Sequence, residues 1–401
     1  MNRVVVTGLG IISPLGHSVA EVTASLRAGR SAIGPLANIP TEGLITRIGA
    51  EVRGFDPAAL FSERQLPLLD RCAQLGLVAA RQAVAQSGLD FRGPLGARTA
   101  TIVGSGVGGM NTMDDSFRRI YAEGGKRAHP FTVPKLMISA TMSHITMEHG
   151  LTGPSFTVAS ACASANHAMG VAYHMVRSGG VDVAVTGGAE AVFTFGTIKA
   201  WEALRVMAPE TCRPFSKNRA GMVLGEGAAM FVFEERERAL ARGAGILCEM
   251  AGFGMSSDAG DIVLPSLDGA SAAMRNCLAD GGLSPGDVDY INAHGTGTAA
   301  NDVTETKAIH AVFGPHARAL AVSSTKSLHG HALGAAGALE LAATVIAMRE
   351  GFIPPTANYA EPDPECDLDY VPNQARAAQI EVAMSNSFAF GGHNAVIAVR
   401  R

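Results

Sequence analysis

The chain has 401 residues, 47% of them hydrophobic, with positive mean hydropathy, so it can bury a large core and is not a disordered sequence. Its 36 acidic and 32 basic residues give a net charge of -4, and no block of Lys or Arg stands out, which argues against nucleic acid as a partner. Six cysteines (Cys72, Cys162, Cys212, Cys248, Cys277, Cys366) are scattered without CxxC pairs, so neither a disulfide framework nor a metal site is expected and a reducing cytoplasm fits best.

From the N-terminus, Arg3-Val4-Val5-Val6-Thr7-Gly8-Leu9-Gly10 reads as a short strand ending in glycines, its apolar run too short for the core of a signal peptide. Arg71 to Gln86 reads as a helix closing at Ser87-Gly88-Leu89, and Ala100-Thr101-Ile102-Val103-Gly104-Ser105-Gly106 as a strand running into a glycine turn. Val158-Ala159-Ser160-Ala161-Cys162-Ala163-Ser164-Ala165 places one thiol among small side chains where a helix is expected to start, and the helix dipole there favours a thiolate. Taken alone, such a cysteine reads first as a buried structural residue. Gly225 to Phe233 is a further strand.

The same succession then returns. Cys248 to Ser256 answers the first strand, Ala270 to Asp280 is a helix closing at Gly281-Gly282-Leu283, and Asp289 to Gly295 is a strand ending in glycine. A helix after His331, through Gly334-Ala335-Ala336-Gly337-Ala338-Leu339-Glu340, answers the Cys162 helix, and Gly391 to Val399 answers Gly225 to Phe233. Two similar halves, 1–245 and 246–401, imply an α/β fold with mixed sheets and a pseudo-twofold axis. Both central helices carry Ala and Gly on every face, as expected of helices buried between sheets. The apolar stretch Ala332 to Met348 is interrupted by Glu340 and is shorter than the ~20 residues a membrane span needs, so no membrane is expected. Gly8-x-Gly10 lacks GxGxxG spacing and Gly104 to Gly109 is not followed by Gly-Lys-Ser/Thr, so these glycines read as turns and close packing rather than a nucleotide site.

Three segments add to Cys162: Asn292-Ala293-His294-Gly295-Thr296-Gly297-Thr298, Ser323-Ser324-Thr325-Lys326-Ser327-Leu328-His329-Gly330-His331, and Ser385-Asn386-Ser387-Phe388-Ala389-Phe390-Gly391-Gly392-His393-Asn394. With them the chain resembles the elongating type II β-ketoacyl-acyl carrier protein synthases over essentially its whole length. The resemblance implies a duplicated thiolase-like fold, layered α-β-α-β-α with two mixed five-stranded sheets around buried central helices. A thiolase would carry a second catalytic Cys where Phe388 to Gly392 stand. A chain-initiating synthase would use Asn where His331 stands, and a chain-length factor would lack the cysteine.

The resemblance implies decarboxylative condensation of an acyl chain, held as a thioester on Cys162, with a malonyl thioester. It assigns the oxyanion donors to the backbone N–H groups of Cys162 and Phe390, and two neutral imidazole donors to His294 and His331. Lys326 would keep His331 neutral, and Glu305 matches the acid that pairs with this lysine. Thr296 and Thr298 match positions that bond the phosphopantetheine arm, though turn-capping hydroxyls explain them as well. Phe390 matches a gating ring, with Phe388 and Gly391 in the same loop, and Val107 and Trp201 fall where the acyl pocket is lined. No metal or cofactor is implied, since the substrates arrive on the phosphopantetheine of acyl carrier protein. Arg64, Lys126, Arg127 and Arg205 match basic docking positions for that acidic carrier, while the neighbouring Pro67 and Leu68 depart from the housekeeping pattern, as do His329 and His393. Trp201 to Met207 and Cys212 to Ser216 look closer to specialised synthases of the nodulation and polyene type, some of which work beside a chain-length factor. The partner expected is therefore acyl carrier protein, with the chain paired either to itself or to a homologous subunit.

Overall fold

The structure is a computed structural model and describes residues 1–401. Its first half supplies strands β1 (Val4–Ile12), β2 (Thr99–Gly104), β3 (Ser155–Val158), β4 (Val183–Glu190) and β5 (Gly227–Glu235). The second supplies β6 (Cys248–Ser257), β7 (Tyr290–Asn292), β8 (Ala321–Ser323), β9 (Val382–Ala389) and β10 (His393–Arg400). Read outward from the middle of the sheet, β1-β5-β4-β2-β3 on one side is repeated by β6-β10-β9-β7-β8 on the other. Every strand pair matched by the repeat in the sequence therefore occupies equivalent places. The two five-stranded sheets meet edge to edge, because β1 pairs antiparallel with β6 at Val4↔Met250, Val5↔Glu249 and Val6↔Cys248, giving ten hydrogen-bonded strands. These are the inner edges of two buried sheets, where unpaired backbone groups would be costly.

The helices that frame the sheet are α1 (Arg71–Ser87), α2 (Met110–Tyr121), α3 (Ser164–Arg177), α4 (Phe195–Ala203), α5 (Leu267–Gly281), α6 (Ala299–Phe313) and α7 (Ala336–Glu350). Outside, α1 covers β1, β4 and β5, while α5 covers β6 and β10 with α6 packed against it. Between the half-sheets lie α3 and α7, each touching strands of both halves and each other. In α7 every residue from Ala336 to Met348 is buried, which explains why that stretch shows no amphipathic period. Asp70 caps α1 by accepting the Cys72 N–H at 2.9 Å, and Gly88 closes the helix at φ +67°. Helix α5 starts three residues earlier than its apolar pattern suggests, because Ser266 supplies the cap; Gly282 closes it at φ +60°.

The glycines have packing roles. A Cβ on Gly10 would lie 1.9 Å from the Ala79 carbonyl oxygen, so β1 can touch α1 this closely only without a side chain. The run after β2 wraps a carboxylate of the chain itself: buried Glu190 accepts from Ser105 Oγ (3.0 Å), Gly106 N–H (2.6 Å) and Val107 N–H (3.3 Å), and from Gly334 N–H of the second half (3.0 Å). Burial pushes that carboxyl up to about 7 against these donors.

Candidate active site

Helix α3 begins at Ser164, so Cys162 sits on the turn before it rather than in its first turn. Ala161 takes φ +49°, and the turn is held by Ser164 Oγ, which donates to the Ala161 carbonyl (2.6 Å) and accepts the Ser160 N–H (2.9 Å). The thiol is 7% exposed. Burial pushes it up to about 12, with the Lys326 charge opposing. The thiolate expected from the helix dipole is therefore opposed by burial, and Cys162 stands outside the first turn of the helix that would favour it. The backbone N–H groups of Cys162 and Phe390 have no acceptor within the chain.

The second half surrounds this thiol. Strand β7 pairs in parallel with both β8 and β9, so the chain leaves all three at the same edge, carrying His294, Lys326, His331 and the Phe388–Phe390 segment to one place. His331 Nε2 lies 3.1 Å from Cys162 Sγ, while its Nδ1 accepts the Leu333 N–H at 3.1 Å. That second bond fixes the tautomer: the proton is on Nε2, which donates to sulfur. His294 is fixed the same way, since Lys326 Nζ approaches its Nδ1 at 3.3 Å and also donates to its carbonyl oxygen at 2.7 Å. The two rings stand edge to face, 5.5 Å between centroids. Both imidazoles are held well below their usual range, first by burial and then by the Lys326 charge.

Lys326 is fully buried, and its partner is Glu340 of α7, not Glu305. Burial pushes the Glu340 carboxyl up to about 7 even so. The pairing expected for Glu305 is corrected: from α6 it accepts the backbone N–H groups of His294 and Gly295, both at 2.8 Å, and Asn386 Nδ2 at 3.0 Å. It therefore shapes the backbone that carries His294. Glu340 was missed as a site residue, although a lone charge inside the apolar run Ala332 to Met348 was the available signal. Asn386 and Glu190 were missed too, the first inside a motif already noted.

A pocket of about 430 Å³ opens onto these groups, lined by Cys162, His294, His331, Thr296, Thr298, Phe388, Phe390, Trp201 and Arg205 among others. Thr296 and Thr298 hydroxyls lie 2.8 Å apart, and Thr298, though at the N-terminal cap position of α6, makes no side-chain capping bond. Phe388 stands edge to face with His294, 6.1 Å between centroids. Gly391 and Gly392, at φ +81° and +71°, follow Phe390. Val107 does not line the pocket; it packs against the apolar cluster that contains Cys162. His329 is buried and bonded to Gly330 and Thr325, pushed down to about 3 by burial and Lys326, whereas His393 is exposed. Of the four basic positions only Arg205 reaches the pocket mouth; Arg64, Lys126 and Arg127 are exposed on segments that flank a separate polar pocket containing Pro67, Arg71, His129 and Lys135.

Residues 1–239 match the model of the beta-ketoacyl synthase N-terminal domain, and residues 247–360 that of the C-terminal domain. The chain is 51% identical to Nodulation protein E of Rhizobium sp. (strain N33), covering 100% of this chain and 99% of the relative. It is 42% identical to 3-oxoacyl-[acyl-carrier-protein] synthase 2 of Coxiella burnetii, with 100% and 99% covered. Among solved structures, the ishigamide ketosynthase/chain length factor superposes with a TM-score of 0.94 at 38% identity, covering 100% of this chain and 99% of that one. The buried thiol lies within the first matched range and the two imidazoles within the second, and the chain belongs to the beta-ketoacyl synthase family.

Proposed function

We propose that the chain elongates an acyl chain held on Cys162 by decarboxylative condensation with a malonyl group on acyl carrier protein. The observation that carries this is the pair of imidazoles whose tautomers are fixed with Nε2–H free to donate, one of them on the Cys162 sulfur. In the first half-reaction sulfur attacks the carrier thioester, its proton passes to the departing phosphopantetheine thiol, and the oxyanion is received by the free N–H groups of Cys162 and Phe390. In the second, the malonyl carbon–carbon bond breaks, CO₂ leaves, and His294 and His331 hold the charge on the thioester oxygen. The carbanion then attacks acyl-Cys162 and expels the thiolate, so no cofactor is needed. Thr296 and Thr298 line the way in for the phosphopantetheine arm.

The higher identity to Nodulation protein E than to the synthase 2 relative supports a specialised product rather than a housekeeping fatty acid. The likeness to a ketosynthase/chain length factor supports pairing with a homologous subunit as the alternative to a homodimer. Arg205 at the pocket mouth, with Arg64, Lys126 and Arg127, meets the acidic carrier, and the scattered free cysteines suit a cytoplasmic setting.

Incubation with a ladder of acyl-carrier donors, with and without a homologous partner subunit, is expected to add one acyl mass that maps to the Cys162 peptide and is discharged by malonyl-carrier protein. No adduct from any donor, with or without partner, overturns the reading. A second expectation concerns pH. Because both imidazoles are held well below the 6.5 of free histidine, they stay neutral as pH falls. CO₂ release from malonyl thioester is therefore expected to vary less than about twofold between pH 8 and pH 6. An acid limb centred near 6.5 in the stopped-flow rate contradicts this.

A further inference from the structure

Glu190 ends β4, where its pairing with Gly227 of β5 fixes the backbone, and its side chain is fully buried among four donors. Burying a carboxylate without a cation is costly, and hydrogen bonds offset that only where the donors are held in place. Its two oxygens divide the donors. Oε1 accepts the Ser105 hydroxyl and the Val107 N–H, both from the loop after β2. Oε2 is shared between the halves, accepting Gly106 N–H at 2.6 Å from the same loop and Gly334 N–H at 3.0 Å from the second half. The carboxylate therefore sets where the Leu333–Gly334 turn stands relative to the half that carries Cys162.

That turn orients His331. The main chain of His331 is fixed independently, its N–H donating to the Val223 carbonyl at 2.7 Å and its carbonyl accepting the Gly225 N–H at 2.9 Å. The ring is held otherwise, by the Leu333 N–H on Nδ1 at 3.1 Å. Leu333 lies at φ +45°, a conformation that leucine keeps only where its surroundings impose it. Successive N–H groups of the turn go three ways: Leu333 to the ring, Gly334 to Glu190, and Ala335 back to the Ala332 carbonyl at 3.0 Å. Among these bonds only the one to Glu190 ties the turn to the first half. Three contacts then join carboxylate to sulfur: Glu190 to Gly334 N–H, Leu333 N–H to His331 Nδ1, and His331 Nε2 to Cys162 Sγ at 3.1 Å.

We propose that Glu190 is a positioning residue for the condensation: through Gly334 it holds the turn that keeps the His331 proton on Nε2 and aims it at the thioester oxygen. This rests on His331 acting as a donor in CO₂ release. Glu190 does not line the pocket, so its effect passes through His331.

The test is a double-variant cycle on CO₂ release from malonyl thioester, using the full chain, with urea unfolding of each variant alongside. Glu190→Asp keeps the charge but draws it back by one methylene from Gly334 N–H. It is expected to lower kcat about tenfold to 10²-fold with KM changed less than about twofold, the cost of a misaimed donor. In Glu190→Gln the amide oxygen can stand where Oε2 stands and keep both glycine N–H groups, so the expected loss is only about threefold. In a His331→Ala background both losses are expected to shrink below about twofold, because no ring is left to aim. Ser105→Ala, which leaves the Gly334 bond in place, is expected to stay within about twofold of the unaltered chain. A folded Glu190→Asp with unchanged CO₂ release overturns the proposal, and so does a loss that keeps its size in the His331→Ala background. If the aspartate variant does not fold, Glu190→Gln in the two backgrounds decides by the same criterion. Each of these results leaves the condensing-enzyme reading intact. No CO₂ release and no acyl adduct from the unaltered chain overturns that reading and the proposal with it.

Discussion

In the Cys162→Ala protein, condensation is expected to fall by at least about 10⁴-fold and the acyl adduct to vanish from the intact-mass spectrum, as for loss of a covalent nucleophile. The same protein is expected to go on releasing CO₂ from malonyl thioester. The two activities separate because their groups separate. In the proposed mechanism sulfur only holds the acyl chain, whereas the charge left by CO₂ goes to His294 and His331, whose protonation is fixed by Lys326 and Leu333 rather than by Cys162. Alanine at 162 removes one acceptor of the His331 Nε2–H and leaves that donor free for substrate. Loss of both activities together would mean that the two imidazoles do not work independently of the thiol. The comparison needs only adduct mass and CO₂ release on one preparation.

Replacing Lys326 by methionine is expected to cost about 3–5 kcal/mol of folding stability near pH 8, the usual penalty for leaving one member of a buried ion pair alone. Glu340 is fully buried, and its Oε2 has no hydrogen-bond partner, so without Lys326 nothing offsets its charge. The penalty depends on pH. The folded-state pKa of Glu340 is raised to about 7, above the carboxylate value it has when unfolded. Its contribution is therefore fully present below the unfolded pKa and is lost as pH rises through the folded one. Removing the lysine charge raises the folded value further, so the deficit of Lys326→Met is expected to shrink toward about pH 5 and grow toward about pH 8. In Lys326→Met/Glu340→Gln, urea unfolding is expected to recover most of the stability at pH 8. CO₂ release is expected to stay about 10²-fold down, since His294 Nδ1 has lost the donor that fixes its tautomer. A deficit equal at both pH values overturns the argument, and so does a double variant that regains turnover.

The fold was readable because a repeat needs only local signals: short strands ending in glycine and helices closing on glycine recur in order. What joins the halves was not readable, since the β1–β6 pairing depends on a register between residues far apart in the chain. That Cys162, His294 and His331 would meet was readable because each sits in a motif of small and polar residues with little else to explain it. The surroundings of the thiol were not, because a helix start is visible in sequence and the burial that opposes a thiolate there is not. Lys326 was placed correctly and partnered wrongly. Two acids approach that region, and only geometry shows that Glu305 spends its oxygens on backbone amides and Asn386 while Glu340 meets the lysine.

The strained turn before α3 has a twin. Leu333, three residues before α7 as Ala161 is three before α3, also takes a left-handed conformation, at φ +45°. The place equivalent to Cys162 is therefore Gly334, and a Cβ there would lie 2.1 Å from the Gly106 nitrogen and 2.5 Å from Glu190 Oε2. The second elbow survives without room for a nucleophile, its N–H turned to the carboxylate that also gathers the loop after β2. The duplicated turn thus carries a thiol in one half and a rivet in the other: the Gly334 copy fastens the half that supplies the sulfur to the half that supplies the histidines, and neither half brings all three side chains together on its own.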